Sequence, residues 1–274
     1  MSSTRGHQNK AIGIFDSGIG GLTVAAAIFN ALPCEDIIYF GDTGRTPYGP
    51  RSPEIVKRFS RQDVNFLIEK NVKFIVVACN TASAVALDYI RGIYNIPMIG
   101  VIAPGALAAA RKTSNKRIGV IGTQGTIASS SYQKALKSMD SGLRIYSRAC
   151  PLFVALAEEG YIDKPATRLI ANDYLAELVK SNIDTLVLGC THYPLLQKTI
   201  ADVMGPGVTL IDSAEETARD AEQTLAGLNL LNSSKSPGTR KFYVSDSPEK
   251  FKKIGERFLG RRIGKVELID INVY

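Results

Sequence analysis

Tryptophan is absent from this sequence, histidine occurs only twice, and cysteine four times in 274 residues. Cys34, Cys79, Cys150 and Cys190 stand far apart with no C-x-x-C pair, so neither a structural zinc site nor a small disulfide framework is expected. No apolar run approaches the roughly 20 residues of a membrane span. The polar opening MSSTRGHQNK, with His7 in it, lacks the apolar centre of a signal peptide. These absences point to a cytoplasmic protein with free thiols and no membrane partner. A dinucleotide fingerprint is missing as well: FDSGIGG is followed by Leu22 and Thr23, and the third glycine of G-x-G-x-x-G would have to stand at Thr23.

The formal charge of +7 invites a nucleic-acid reading, and its distribution argues against one. Residues 235–266 hold ten Lys or Arg against three acids, which accounts for the whole excess. Within that segment Phe251, Ile254, Phe258 and Leu259 recur at helical spacing, so FKKIGERFLGRR reads as an amphipathic helix with its cations in water. No aromatic residues interleave with exposed basic ones as stacking platforms for bases would require.

Short β-branched runs alternate with helical stretches: AIGIF, DIIYF, KFIVVA, PMIGVI, RIGVIG, DTLVLG, VTLID and KFYVS. Alternation of this kind predicts an α/β fold with mainly parallel sheets covered by helices on both faces. In SPEIVKRFSRQDVNFLIEK, Ser52 suits a helix cap and Pro53 the first helical position, with Ile55, Phe59 and Phe66 on one face. IGIFDSGIGG resembles IGVIGTQGTI, 106 residues later, and IVVACNTAS resembles LVLGCTHYP, 111 residues later. Near-equal offsets imply a duplicated α/β unit. The expected division is a discontinuous first domain, 1–102 plus 213–274, and a second, 103–212, with Pro104 in VIAPGA ending one unit.

Cys79 and Cys190 occupy matching places in that repeat, each at the tip of an apolar strand. One such cysteine is most simply a small hydrophobe. Two at matched tips, followed by Asn80-Thr81 and Thr191-His192, suggest a pair facing one cleft. A helix N-terminus draws a thiol pKa from about 8.5 toward neutrality, and a base works best near the operating pH. Inverting a stereocentre needs a proton removed from one face of a carbon and another delivered to the opposite face, a task for two groups of like pKa. His192 could accept or relay a thiol proton, and Glu158 in PLFVALAEEG could be its carboxylate partner. Asp16 and Ser17 put a carboxylate and a hydroxyl at the first strand tip, fit for a ligand. Cys34 and Cys150 read as packing residues.

In order along the chain, FDSGIGG, GDTGRTPYG, ACNTASA, PLFVALAEEG and GCTHYP resemble the motifs of the glutamate racemases, within the cofactor-independent aspartate/glutamate racemase superfamily. The resemblance runs from about residue 11 to 230. It implies interconversion of L- and D-glutamate, with D-glutamate supplied for peptidoglycan, and no cofactor or metal. By motif position, Cys79 is similar to the base acting on D-glutamate and Cys190 to the base acting on L-glutamate. Asp16, Glu158 and His192 match the auxiliary catalytic groups. Asp16, Ser17, Tyr48, Gly49, Asn80, Thr81, Thr191 and His192 match substrate-binding positions. Relatives are often dimers, so a homodimer is a possible assembly. Ala155 departs from the proline of many relatives.

Other readings compete with this one. An aspartate racemase, or another member of the superfamily acting on a different acid, would share the motifs. A cysteine hydrolase built on Cys190 and His192 would leave Cys79 dispensable, and a non-catalytic binder of a small anion would leave both thiols with ordinary pKa values.

Overall fold

The computed structural model describes residues 8–274, so His7 lies outside the described residues. Ten strands are found there: β1 (Ile12–Asp16), β2 (Ile37–Gly41), β3 (Phe74–Val77), β4 (Met98–Gly100), β5 (Arg117–Gly122), β6 (Arg144–Ala149), β7 (Thr185–Gly189), β8 (Thr209–Ile211), β9 (Arg240–Val244) and β10 (Val266–Leu268). They form two sheets with orders β10-β9-β2-β1-β3-β4 and β6-β5-β7-β8. Every pairing is parallel. The run β2-β1-β3-β4 repeats the order β6-β5-β7-β8, so the duplication extends to topology.

The central strands are apolar on both faces because helices cover both. IGIF of β1, FIVV of β3 and TLVLG of β7 are buried throughout, as parallel sheets require. Two apolar layers sandwich each sheet. On the first, one is built around Ile14, Leu22 and Phe251 and the other around Phe40, Val64 and Phe66. On the second, they are built around Phe153, Leu175 and Tyr193, and around Val120, Leu136 and Val187. Sequence reasoning missed β6 and β10, both edge strands. RIYSRA and VEL carry charges and face largely into solvent, so no apolar run marks them.

Helix Pro53–Glu69 begins as expected, with Ser52 Oγ accepting from the Ile55 N–H at 3.4 Å and Pro53 in the first turn. Its buried stripe differs from the expected one. Val56, Ser60, Asp63, Val64 and Leu67 face the core together with Phe66, whereas Ile55 and Phe59 are half-buried. The rotation buries a carboxyl group, Asp63. Pro104 also differs from expectation: it sits in the first turn of helix Ile102–Lys112, where its missing N–H is tolerated, and opens that helix.

After β8 the chain returns to the first sheet through helix Ser213–Gly227, whose Ala214, Ala218, Ala221 and Leu225 pack against helix Leu22–Ala31. The C-terminal helix Pro248–Leu259 buries Phe251, Ile254 and Phe258 in the same layer and leaves Lys250, Lys253 and Arg257 in solvent. Among the described residues no helix is long and apolar enough to cross a membrane.

Candidate active site

In the first sheet β1 and β3 are neighbours, with Phe15 paired to Val77, so Asp16-Ser17 and Cys79-Asn80 emerge side by side. In the second sheet β5 and β7 are neighbours, with Gly122 paired to Gly189, so Thr123 and Cys190 emerge together in the same way. The two pairs of tips enclose one cavity of about 20 Å³. The first sheet contributes Ser17, Tyr48, Gly49, Cys79, Asn80 and Thr81, and the second contributes Cys190, Thr191 and His192. Sequence reasoning missed four further lining residues: Thr46, Pro47, Thr123 and Val154. Thr123 was within reach of it, because the internal repeat aligns Thr123 with Ser17. Asp16 is fully buried behind the wall, and Glu158 reaches the site through His192.

The surroundings of the two thiols differ. Cys79 caps helix Asn80–Val85: its Sγ accepts from the Ala82 N–H at 3.4 Å, and its thiol donates to Ser17 Oγ at 3.6 Å. The helix start does not draw this thiol toward neutrality as expected. Burial, then the nearby Asp16 carboxylate, push it up to about 12, outweighing the Ala82 N–H and Ser17. Cys190 precedes a 3₁₀ turn, Tyr193–Leu196, and its Sγ lies 3.8 Å from His192 Nδ1. His192 Nε2 lies 3.0 Å from Glu158 Oε1. Burial alone would lower the His192 pKa, but Cys190 and Glu158 together raise it to about 10, and His192 in turn holds Glu158 below its usual range against burial. The imidazole is protonated at neutral pH and offers its charge to the Cys190 sulfur. Phe258 packs edge-to-face on the His192 ring, with centroids 5.6 Å apart.

Polar groups with unused capacity surround the sulfurs. Asp16 Oδ2 accepts from the Gly18 N–H at 2.9 Å, and burial raises its pKa against the pull of His192 and backbone N–H groups. Asp16 Oδ1 and Asn80 Oδ1 are buried acceptors that no donor satisfies, although Asn80 Nδ2 donates to the Tyr132 hydroxyl at 3.0 Å. Such orphans are rare and call for a partner. Among the described residues, the backbone N–H groups of Gly49, Asn80, Thr81, Thr191 and His192 have no acceptor in the chain. Tyr48 lines the cavity, and its hydroxyl is engaged by Asp42 and Asp63.

Close contacts join the halves. Thr81 Oγ1 lies 2.8 Å from Thr123 Oγ1, and the Gly125 N–H donates to the Gly49 carbonyl at 2.8 Å. Gly20 abuts Thr191 and His192 so closely that a Cβ there would overlap Thr191 Oγ1 and lie 2.5 Å from His192 Nδ1. Glycine is needed at position 20 for that approach.

The sequence profile described as Asp/Glu/Hydantoin racemase matches residues 29–221. The chain belongs to this racemase family. It is 52% identical to a glutamate racemase of Geobacter metallireducens over 262 residues, 96% of this chain and 97% of that one. Among solved structures it resembles a glutamate racemase isoform of Bacillus anthracis, at 44% identity and a TM-score of 0.93, covering 96% of this chain and 98% of that one. It also resembles the glutamate racemase of Francisella tularensis, solved in complex with D-glutamate, at 40% identity and a TM-score of 0.92, covering 97% and 100%. In this racemase, then, two unequally partnered thiols and a set of unsatisfied donors and acceptors share one small chamber.

Proposed function

We propose that the protein interconverts L- and D-glutamate by passing the α-proton between Cys79 and Cys190, and so supplies D-glutamate for peptidoglycan. The observation that carries this reading is the arrival of two thiols, at equivalent strand tips of two sheets, in one cavity. Cys190 removes the α-proton of L-glutamate while Cys79 delivers one to the opposite face, and the roles reverse for D-glutamate. Glu158 and His192 support the proton at Cys190, and Asp16 and Ser17 support it at Cys79. Asp16 and Asn80 offer their unpaired oxygens to the substrate ammonium. The free N–H groups of Gly49, Asn80, Thr81, Thr191 and His192 suit its carboxylates and the charge that develops on them.

A cavity of about 20 Å³ holds about one water molecule, whereas ligand pockets run to about 300–1,000 Å³. Glutamate therefore enters by separation of two domains, 1–102 plus 213–274 and 103–212, which agrees with the membership of the two sheets. Reclosure excludes water, strengthening each electrostatic contact around the carbanionic transition state. Aspartate is shorter by one methylene, and such a difference discriminates by about 10–200-fold.

Incubation of each enantiomer in heavy water, followed by optical rotation and by deuterium at the α-carbon, tests the proposal. Racemisation with deuterium entering the product is expected, and both Cys79→Ala and Cys190→Ala should abolish it. Racemisation at the normal rate in either variant would falsify the two-thiol reading. Survival in Cys79→Ala of a hydrolase activity would favour a single Cys190-His192 centre instead.

A further inference from the structure

Asp63 is fully buried on the core stripe of helix Pro53–Glu69, where packing asks for an apolar side chain. It faces Arg45 and Tyr48 of the 42–50 loop, Asp42 at the start of that loop and, at longer range, Asp16. Arg45 donates from Nε to Asp42 Oδ2 at 2.6 Å, from Nη2 to Asp63 Oδ1 at 3.1 Å and from Nη1 to Gln62 Oε1 at 2.6 Å. Ser245 Oγ donates to Asp42 Oδ1 at 2.7 Å. The Tyr48 hydroxyl lies 2.5 Å from Asp42 Oδ2 and 2.9 Å from Asp63 Oδ2.

Counting hydrogens decides the protonation. The phenol has one hydrogen, and the shorter contact assigns it to Asp42. At the second contact two oxygens face each other, and one of them must carry a hydrogen for a bond to exist. Asp42 already accepts from Arg45, Tyr48 and Ser245, so none of its contacts calls for a hydrogen of its own. One guanidinium balances one carboxylate, and a second buried carboxylate would be uncompensated. We propose that Asp63 is held as a neutral acid whose O–H donates to Tyr48, making it a positioning residue for the Thr46–Gly49 wall of the substrate cavity. Burial and Asp42 both push its pKa well above the carboxylate range, against Arg45 and Tyr48. Thr46, Pro47 and Gly49, which flank the anchored ring, all line the cavity. The positioning role rests on the glutamate racemase reading; the protonation state does not.

The two parts are read separately. A carboxyl with a raised folded-state pKa holds a proton that the unfolded chain releases above about pH 4, so its contribution to stability falls as pH rises. In Asp63→Asn the amide replaces the O–H toward Tyr48 and its oxygen still accepts from Arg45, and that decline disappears. The melting temperature of Asp63→Asn relative to the unsubstituted protein is therefore expected to rise by at least about 3 °C from pH 5 to pH 8. A flat or falling difference over that interval overturns the neutral acid, because an Asp63 ionised in both the folded and the unfolded chain adds no pH dependence there. In glutamate racemisation, Asp63→Ala should raise KM at least about tenfold with kcat within about threefold, and Asp63→Asn should recover most of that loss. An unchanged KM in Asp63→Ala, or an Asn variant no better than Ala, overturns the positioning role. If the unsubstituted protein does not racemise glutamate, the preceding reading fails, and the melting comparison still decides the state of Asp63.

Discussion

Replacing His192 by Asn leaves an amide near Cys190 and removes the positive charge, which allows the contribution of that charge to be measured. At 3.8 Å an imidazolium and a thiolate attract by about 4 kcal/mol at an effective dielectric constant of about 20. Burial of the imidazole opposes its charging and takes back part of this. About 3–4 kcal/mol remains, which predicts a loss of roughly 10²–10³ in kcat/KM. Enantiomers have equal free energies in water, so the equilibrium constant is unity and kcat/KM must fall by the same factor from L- and from D-glutamate. The assay follows optical rotation from each pure enantiomer at pH 8. A loss below about threefold would refute the argument that His192 carries charge for Cys190. Losses confined to one direction would show that the two progress curves do not describe one reversible reaction.

Two further substitutions test the same chamber. In Glu158→Gln the carboxylate that helps hold His192 near pKa 10 is gone; the imidazolium then gives up its proton at lower pH, and the alkaline limb of the kcat/KM profile should shift downward in pH. An unmoved limb would mean that Glu158 does not set the charge of His192. Gly20→Ala forces its Cβ into Thr191 and His192, and a displacement of about 1 Å there should lower kcat/KM by about 10², with thermal melting confirming that the variant remains folded.

The fold was readable where burial on both faces leaves an unbroken apolar run, as in FIVV and TLVLG, and unreadable at the edges, where RIYSRA and VEL mix charge with solvent exposure. The thiol pair could be found because duplication preserves position: near-equal offsets bring two cysteines to corresponding strand tips. The same alignment sets Thr123 beside Ser17, and that clue was available though unused. Asp63 offered no such clue. A lone acid in a helical stretch reads as a solvent-facing residue, and only a small rotation of the helix turns it inward to Tyr48. Tyr48 stands at the cavity wall as its motif implies, but the partners of its hydroxyl, Asp42 and Asp63, are set by tertiary packing and no motif marks them.

Duplication supplies the geometry of the proposed reaction, and divergence supplies its protonation states. The repeat aligns Asp16 with Gly122, so the strand tip beside Cys190 has no carboxylate equivalent to the one near Cys79. The second half instead brings Glu158 to bear through His192. A buried thiol near a carboxylate keeps its proton, which is why Cys79 is pushed up to about 12. A sulfur beside an imidazolium has a partner for negative charge. The two thiols thus stand in unequal surroundings, although the enantiomers themselves are equal in energy. That inequality cannot alter the ratio of the two kcat/KM values. It acts only on how each is divided between kcat and KM, so those two constants should differ between L- and D-glutamate by one common factor.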